Sequence, residues 1–352
     1  MSQASRRRLG LAEAGALLIG ANLPDLDALT YVVGQDLAFG FRRGWTHGPA
    51  GLLLGAPMLA AGLLLADRLA RRTHGGETPG PSFVTLVSLA AMAIATHPIL
   101  DWLNTYGVRF LMPFSDRWFY GDALFIVDPW VWLALGGGVF LSRAAVGWLE
   151  GIGWVALALA ASAMILGTGM TPAAAKAIWV AGLLGIAAAR FVRGIRSRRT
   201  ARWSLALAGA YAAAMVTTSW VASARVPSQL AREDPAPLEK LMVGPVAGNP
   251  LRWEVVAQTR DGYRWGRWRW LESPGLAMSA ERVAKPPATP IVQEALASPS
   301  VRGTMGWMRF PYVHVEPDPS GPDRWVVRII DLRYARRPRD GFAVAKVVVD
   351  AK

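Results

Sequence analysis

The 352-residue chain contains no cysteine, which excludes disulfides and any thiolate metal or redox centre. Charge is also scarce: Asp, Glu, Lys and Arg make up 18% of the residues, and long stretches hold none of them. Gly48 to Ala66, Phe83 to Leu100, Gly151 to Met170 and Trp203 to Ala224 are free of all four. Ala123 to Leu141 is interrupted only by Asp128, and Pro172 to Ala189 only by Lys176. A hydrocarbon core takes about 20 apolar residues per helix, so these runs read as spans of a multi-pass membrane protein. Leu9 to Leu23 is shorter, holds Glu13, and is the weakest candidate. Core helices of soluble proteins rarely stay uncharged for so long. The hydrophobic fraction of 53% and mean hydropathy of +0.27 point the same way. A signal-peptide cleavage site is lacking too, because "RRRLGLAEAGALLIGANLPDLD" runs from basic residues into carboxylates. The chain is expected to be anchored by its own helices.

The net charge of +13 comes from arginine, and in a membrane protein its placement sets orientation. With Arg6, Arg7 and Arg8 inside, the inner loops also hold Arg68, Arg71, Arg72, Arg143 and the group from Arg190 to Arg202. The outer loops hold fewer: Arg42, Arg43, Arg109, Arg117 and Lys176. The rule therefore predicts a cytoplasmic start and an outward-facing, periplasmic C-terminal part.

The expected fold class is an α-helical multi-pass membrane domain of about six or seven transmembrane helices, residues 1–224, followed by a small β-rich soluble domain, residues 225–352. "SARVPSQLAREDPAPLEK" reads as the linker. Past it, "LRWEVVAQT" and "YRWGRWRWL" flank a hairpin turn at Asp261 and Gly262. "WMRFPYVHVE", "RWVVRIIDLRY" and "FAVAKVVVD" read as further strands, with a short helix near Ile291 to Ala297. Alternation of Arg and Trp can serve nucleic acid, but the outward location argues against it, and Trp268 and Trp270 are expected on one strand face with Arg267 and Arg269 on the other.

Chemistry gathers at the outward ends of the first spans. "ANLPDLDAL" brings Asp25 and Asp27, and "FRRGWTHGP" brings His47. "ATHPILDWLNTYG" places His97, Asp101 and Asn104 at i, i+4 and i+7, on one helical face. Carboxylates and imidazoles together suit a divalent ion: Zn²⁺ foremost, Mn²⁺ or Mg²⁺ with a more oxygen-rich set. The next loop, "GVRFLMPFSDRWFYGDALFIVDPW", holds an aromatic belt together with Asp122 and Asp128 as possible support. Asp128, inside a span, should have a cation or a buried donor as partner. Arg109 or Arg117 could supply one, or could hold an anionic substrate group.

These motifs in order, over about residues 10 to 135, resemble the YdjM-like, LexA-regulated family of membrane-bound metal-dependent hydrolases. The resemblance implies a bacterial inner-membrane protein, with Asp25, Asp27, His47, His97 and Asp101 on the family's metal and catalytic positions. Relatives usually begin with a further helix carrying its own histidine, whereas the first histidine here is His47. The true start is then expected upstream, or that histidine is dispensable.

The function expected from these readings is hydrolysis of an ester or phosphoester, with a membrane lipid or lipid-linked substrate suggested by location. Asp25, His47, His97 and Asp101 would be the metal ligands, Asp27 or Asp101 the general base or an orienting group, and Arg109, Arg117 and Asn104 the substrate contacts. The rival reading is a non-enzymatic transporter or assembly factor whose Asp/His cluster is an ion or structural site. Intramembrane Asp and His do mark ion paths, but here they gather at one membrane face.

Overall fold

The computed structural model describes residues 10–74, 80–143, 146–234, 236–335 and 341–350. In chain order the helical part comprises α1 (Leu11–Asn22), a 3-10 helix (Leu23–Val32), α2 (Gln35–Phe41), α3 (Pro49–His74), α4 (Phe83–Trp102), α5 (Pro129–Ser142), α6 (Trp148–Gly167), α7 (Ala173–Phe191) and α8 (Arg198–Glu233). There follow β1 (Leu238–Val246), β2 (Asn249–Thr259), β3 (Gly262–Arg269), β4 (Leu276–Ala284), α9 (Pro290–Ala297), α10 (Arg302–Trp307), β5 (Pro311–Pro317), β6 (Arg324–Asp331) and β7 (Val344–Asp350).

Among the described residues, five helices are long and apolar enough to cross a membrane: α3, α4, α6, α7 and α8. Two expected spans fall short. In the run from Ala123 to Leu141 the helix starts only at Pro129, because the Asp128 side chain accepts from Trp130 N and Val131 N and caps it there. The 14 residues of α5 rise about 21 Å, against a hydrocarbon core of about 30 Å. The 12 residues of α1 are shorter still.

Contacts divide the chain into two units: Met1–Trp102, Tyr106–Tyr120 and Pro286–Lys352 form the first, Leu103–Thr105 and Gly121–Lys285 the second. In the first unit α1, α3 and α4 pack through small residues, Ala16, Ala56, Ala60 and Ala90 among them. A Cβ on Gly20 of α1 would lie 3.1 Å from Ala93 Cβ and 3.3 Å from Ala90 O, so the glycine lets the two backbones approach closely. The C-terminal segment of this unit forms a core with α2. Phe39 stacks on Trp307 with ring centroids 4.2 Å apart, and Tyr106, Val327 and Ile329 join them. Full burial of side chains this large contributes roughly 2 kcal/mol each. Asp36 of α2 holds the start of α10, accepting from Gly303 N, Thr304 N and Thr304 Oγ1. The antiparallel sheet β5-β6-β7 completes the unit, with Val313 opposite Ile329 and Val327 opposite Val347.

In the second unit α5 packs against α7 and α8. The α8 helix does not stop near Ala224 but continues through Pro227 to Glu233, across the expected linker. Val226 and Leu230 are buried, and Gln229 Oε1 accepts from Leu276 N, so tertiary packing carries the helix through a stretch that looks like a breaker. The antiparallel meander β1-β2-β3-β4 follows, with the turn at Arg260 and Asp261 between β2 and β3. Trp268 is buried and Arg267 exposed, as strand alternation requires, whereas Trp265 is also buried, beside the register shift between Arg264 and Gly266 in the pairing of β3 with β4. The strands after residue 225 thus make two sheets, one in each unit.

Candidate metal centre

His47 stands just before α3, and His97 and Asp101 lie in the last turns of α4, so the start of one helix meets the end of the other. Asp25 reaches the same place from the 3-10 helix. One ligand atom from each of Asp25, His47, His97 and Asp101 lies within 4.8 Å of the other three. His47 Nε2 is 3.1 Å from Asp101 Oδ2, while His97 Nε2 is 3.5 Å from both Asp101 Oδ2 and Asp25 Oδ2.

The remaining polar atom of each of these side chains is held by a separate group. His97 Nδ1 donates to Ala21 O at 2.6 Å, a contact that the close approach of α1 and α4 at Gly20 allows. Nε2 is buried, makes no hydrogen bond of good geometry, and faces the Asp25 and Asp101 carboxylates at 3.5 Å. His47 Nδ1 lies 2.9 Å from Thr46 Oγ1 and 3.3 Å from Asp27 Oδ2, and Thr46 Oγ1 donates to Asp27 Oδ2 at 2.9 Å. Arg43 Nη2 donates to Asp101 Oδ1 at 2.9 Å, and Arg42 Nη2 donates to Asp25 Oδ1 at 2.9 Å. Two imidazole nitrogens and two carboxylate oxygens therefore converge with their opposite atoms anchored, as supporting contacts do in metal sites. An orphaned buried imidazole nitrogen facing two carboxylate oxygens fits a divalent ion.

Asp27 and Asp25 differ in environment. The Asp27 side chain is fully buried. Its Oδ1 accepts from Arg42 Nε, and its Oδ2 accepts from Arg43 N and Thr46 Oγ1. Burial alone would raise its pKa, but the contacts from His47, Arg43 N and Thr46 hold it below the usual carboxylate range. That arrangement suits the orienting role of the two envisaged for Asp27. The Asp25 side chain is 46% exposed, so it is the cluster's opening to solvent. Its carboxyl is also held low, first by the contact with His97, then against its partial burial, with the Arg42 charge contributing.

The loop sequence explains itself by close approach. A Cβ on Gly48 would sit 2.5 Å from Met112 O, and one on Gly51 2.1 Å from Thr46 O, so the turn after His47 admits only glycine at both places. Arg43 takes a positive φ of 52°, which aims its N–H at Asp27 while its guanidinium covers the Tyr106 ring at 4.4 Å.

Other expected site residues lie elsewhere. Arg109 is buried, donates Nη2 to Gly40 O and Arg42 O, and stacks on Trp118, so it fastens the loop below the cluster. Arg117 is exposed and lies over the Phe119 ring. The α4 helix ends at Trp102, so Asn104 does not continue the face of His97 and Asp101, and it belongs to the second unit. Asp122 and Asp128 belong there too. The partners of Asp128 are the α5 N-terminus and Tyr211 OH at 3.0 Å, rather than an arginine. Asp122 is buried with φ 47°, and its carbonyl accepts from Ser219 Oγ. Arg42, Arg43 and Thr46 are the site residues that spacing did not single out. Their signal was adjacency to His47 in "RRGWTHG" opposite two aspartates.

Apolar spanning helices with an Asp/His cluster where two of them meet define a multi-pass membrane protein with a candidate metal centre. Residues 2–175 match the model of the YdjM inner membrane protein family. It is also similar to the uncharacterized protein YfhP of Bacillus subtilis (strain 168), 24% identical over 119 residues, covering 34% of this chain and 33% of that protein. The chain thus matches about a third of that relative's length. No solved structure matches it.

If Asp27 acts by orienting His47, Asp27→Asn should weaken zinc binding about 10- to 100-fold without unfolding the chain, the usual effect of losing such a support. Competition with a fluorescent zinc indicator measures it, and an unchanged affinity would remove the role.

Proposed function

We propose that the protein is a membrane-bound hydrolase that uses one divalent ion, zinc first and manganese or magnesium as alternatives, held by Asp25, His47, His97 and Asp101. The observation that carries this reading is the convergence of their four ligand atoms within 4.8 Å, each side chain anchored from behind. A bound zinc ion would bring the pKa of a water near 7 and polarise an ester or phosphoester oxygen. The chain's own residues supply the rest. Asp27 with Thr46 fixes the tautomer of His47, and Ala21 O fixes that of His97. Arg43 holds the second oxygen of the ligand Asp101, Arg42 that of Asp25, and the two guanidiniums keep the carboxylates ionised and aimed. Arg117, with an exposed guanidinium, is the candidate to hold an anionic group of the substrate.

A lipid or lipid-linked substrate is supported by the collar of exposed apolar side chains in the same unit: Leu29, Val32, Val33, Trp45 and Phe114, the last 85% exposed. Orientation follows from α3, whose first turn adjoins the cluster and whose far end carries Arg68, Arg71 and Arg72. By the positive-inside rule this supports a periplasmic cluster, and the sheet β5-β6-β7 of the same unit would share that side with α5 as a short sixth crossing.

The test is metal content of the detergent-purified full chain by elemental mass spectrometry, followed by hydrolysis of a nitrophenyl phosphodiester, a nitrophenyl ester and vesicle phospholipid. The expected result is about one zinc or manganese per chain, with hydrolysis that stops on chelation and in Asp25→Ala. A metal-free wild type inactive on all three probes would overturn it in favour of the non-enzymatic ion or structural site.

A further inference from the structure

The second unit contains a cavity of about 900 Å³ between α5, α6 and α7. Its walls are apolar, with Trp132, Phe140, Trp154, Leu183 and Ile186 among them. At one end α6 and α7 are joined. Trp179, 2% exposed, donates Nε1 to Ser162 Oγ at 3.0 Å and packs on Ala161 and Ile165. Towards the other end the lining passes to the start of α6 at Trp148 and Gly151, and to Arg190 and Arg196 at and beyond the end of α7. The arginines therefore line the end of the cleft away from the Trp179–Ser162 contact. A Cβ on Gly136 would meet nothing within 4 Å, and one on Gly151 only Val146 Cγ1 at 3.9 Å, so these glycines face open space.

The charge at the arginine end has one sign left over. Arg190 is 3% exposed, donates Nη1 to Arg143 O at 2.6 Å and lies over the Phe140 ring. Arg196 is exposed. The carboxylate at this end, Glu150, already pairs with Arg143 and accepts from Trp154 Nε1. Arg193, Arg198 and Arg199 follow in the same loop and first helical turn.

We propose that this cleft binds one anionic phospholipid, its acyl chains between α5, α6 and α7 and its phosphate at Arg190 and Arg196. The proposal stands apart from the hydrolase reading. An apolar wall with a basic rim at one end matches a molecule with two tails and one negative head. A second copy of the chain is a poorer occupant, since the same loop of that copy would bring more arginine to this level. A guanidinium suits a phosphate better than an ammonium does, because it donates in a planar fork.

Native mass spectrometry of the full chain from mild detergent, with phosphatidylglycerol and phosphatidylethanolamine titrated in competition, tests this. The expected result is one retained phosphatidylglycerol per chain in preference to phosphatidylethanolamine. Arg196→Gln should weaken retention about five-fold, what one basic side chain is worth at an anionic surface. Gly151→Leu, which fills the cleft, should abolish it, while Arg68→Gln in the first unit should leave it unchanged. Equal retention of both lipids, retention unaffected by Gly151→Leu, or a lipid-free dimer would each overturn the proposal.

Discussion

Replacing His97 by alanine should take the purified protein from about one divalent ion per chain to background. His97 Nε2 is buried, makes no hydrogen bond of good geometry, and faces Asp25 Oδ2 and Asp101 Oδ2 at 3.5 Å each. Removing it leaves two carboxylates and one imidazole, and deletes the atom whose orientation Ala21 O fixes. Thermal stability provides a second readout. An ion that binds only the folded chain stabilises it by about 2.7 kcal/mol when present at 100 times its Kd. Added zinc should therefore raise the melting midpoint of the wild type and leave that of His97→Ala where it was. If the variant keeps its ion and its zinc response, the four-residue cluster is not the metal site. If the wild type itself shows neither, the cluster is a hydrogen-bonded structural joint between α1, α3 and α4.

The candidate ligands were legible in the sequence because they sit where polar groups interrupt apolar runs, and a helical spacing of four put His97 and Asp101 on one face. The fold brings both to Asp25 and His47. What spacing did not reveal depends on distant chain. Asn104 fell outside the face because α4 ends at Trp102, and just beyond it Leu103 O accepts from Ala123 N and Leu124 N, partners that residue spacing does not encode. Arg109 looked like a substrate group because a cation in a loop looks the same whether it meets an anion or two carbonyls. The run from Ala123 to Leu141 looked like a span, although a capped aspartate with a following proline is also a helix start. Asp128 and Pro129 make it one. Above all, Phe39 gave no sign that it would stack on Trp307, since contacts between residues so far apart in sequence leave no local pattern.

That long-range core yields the second large effect, on Asp331. Its carboxylate is fully buried, accepts from Arg309 N and Arg333 N, and pairs with the Arg333 guanidinium at 2.7 Å. Arg333 in turn donates to Trp307 O and Tyr106 O and lies over the Trp307 ring at 4.8 Å. Asp331→Ala would remove the carboxylate that neutralises that buried guanidinium, which costs about 3–5 kcal/mol. The double variant Asp331→Ala with Arg333→Met should cost less than the single one, because a well-packed apolar pair can replace a buried ion pair at little loss. Melting midpoints of the full chain in detergent distinguish the two. The effect should also reach the metal cluster. Tyr106, whose carbonyl Arg333 holds, carries on its ring the guanidinium of Arg43, and Arg43 holds Asp101. Zinc affinity should therefore fall in Asp331→Ala at temperatures well below melting, and recover in part in the double variant. An affinity unchanged in both would mean that the C-terminal sheet stabilises the first unit without positioning its ligands.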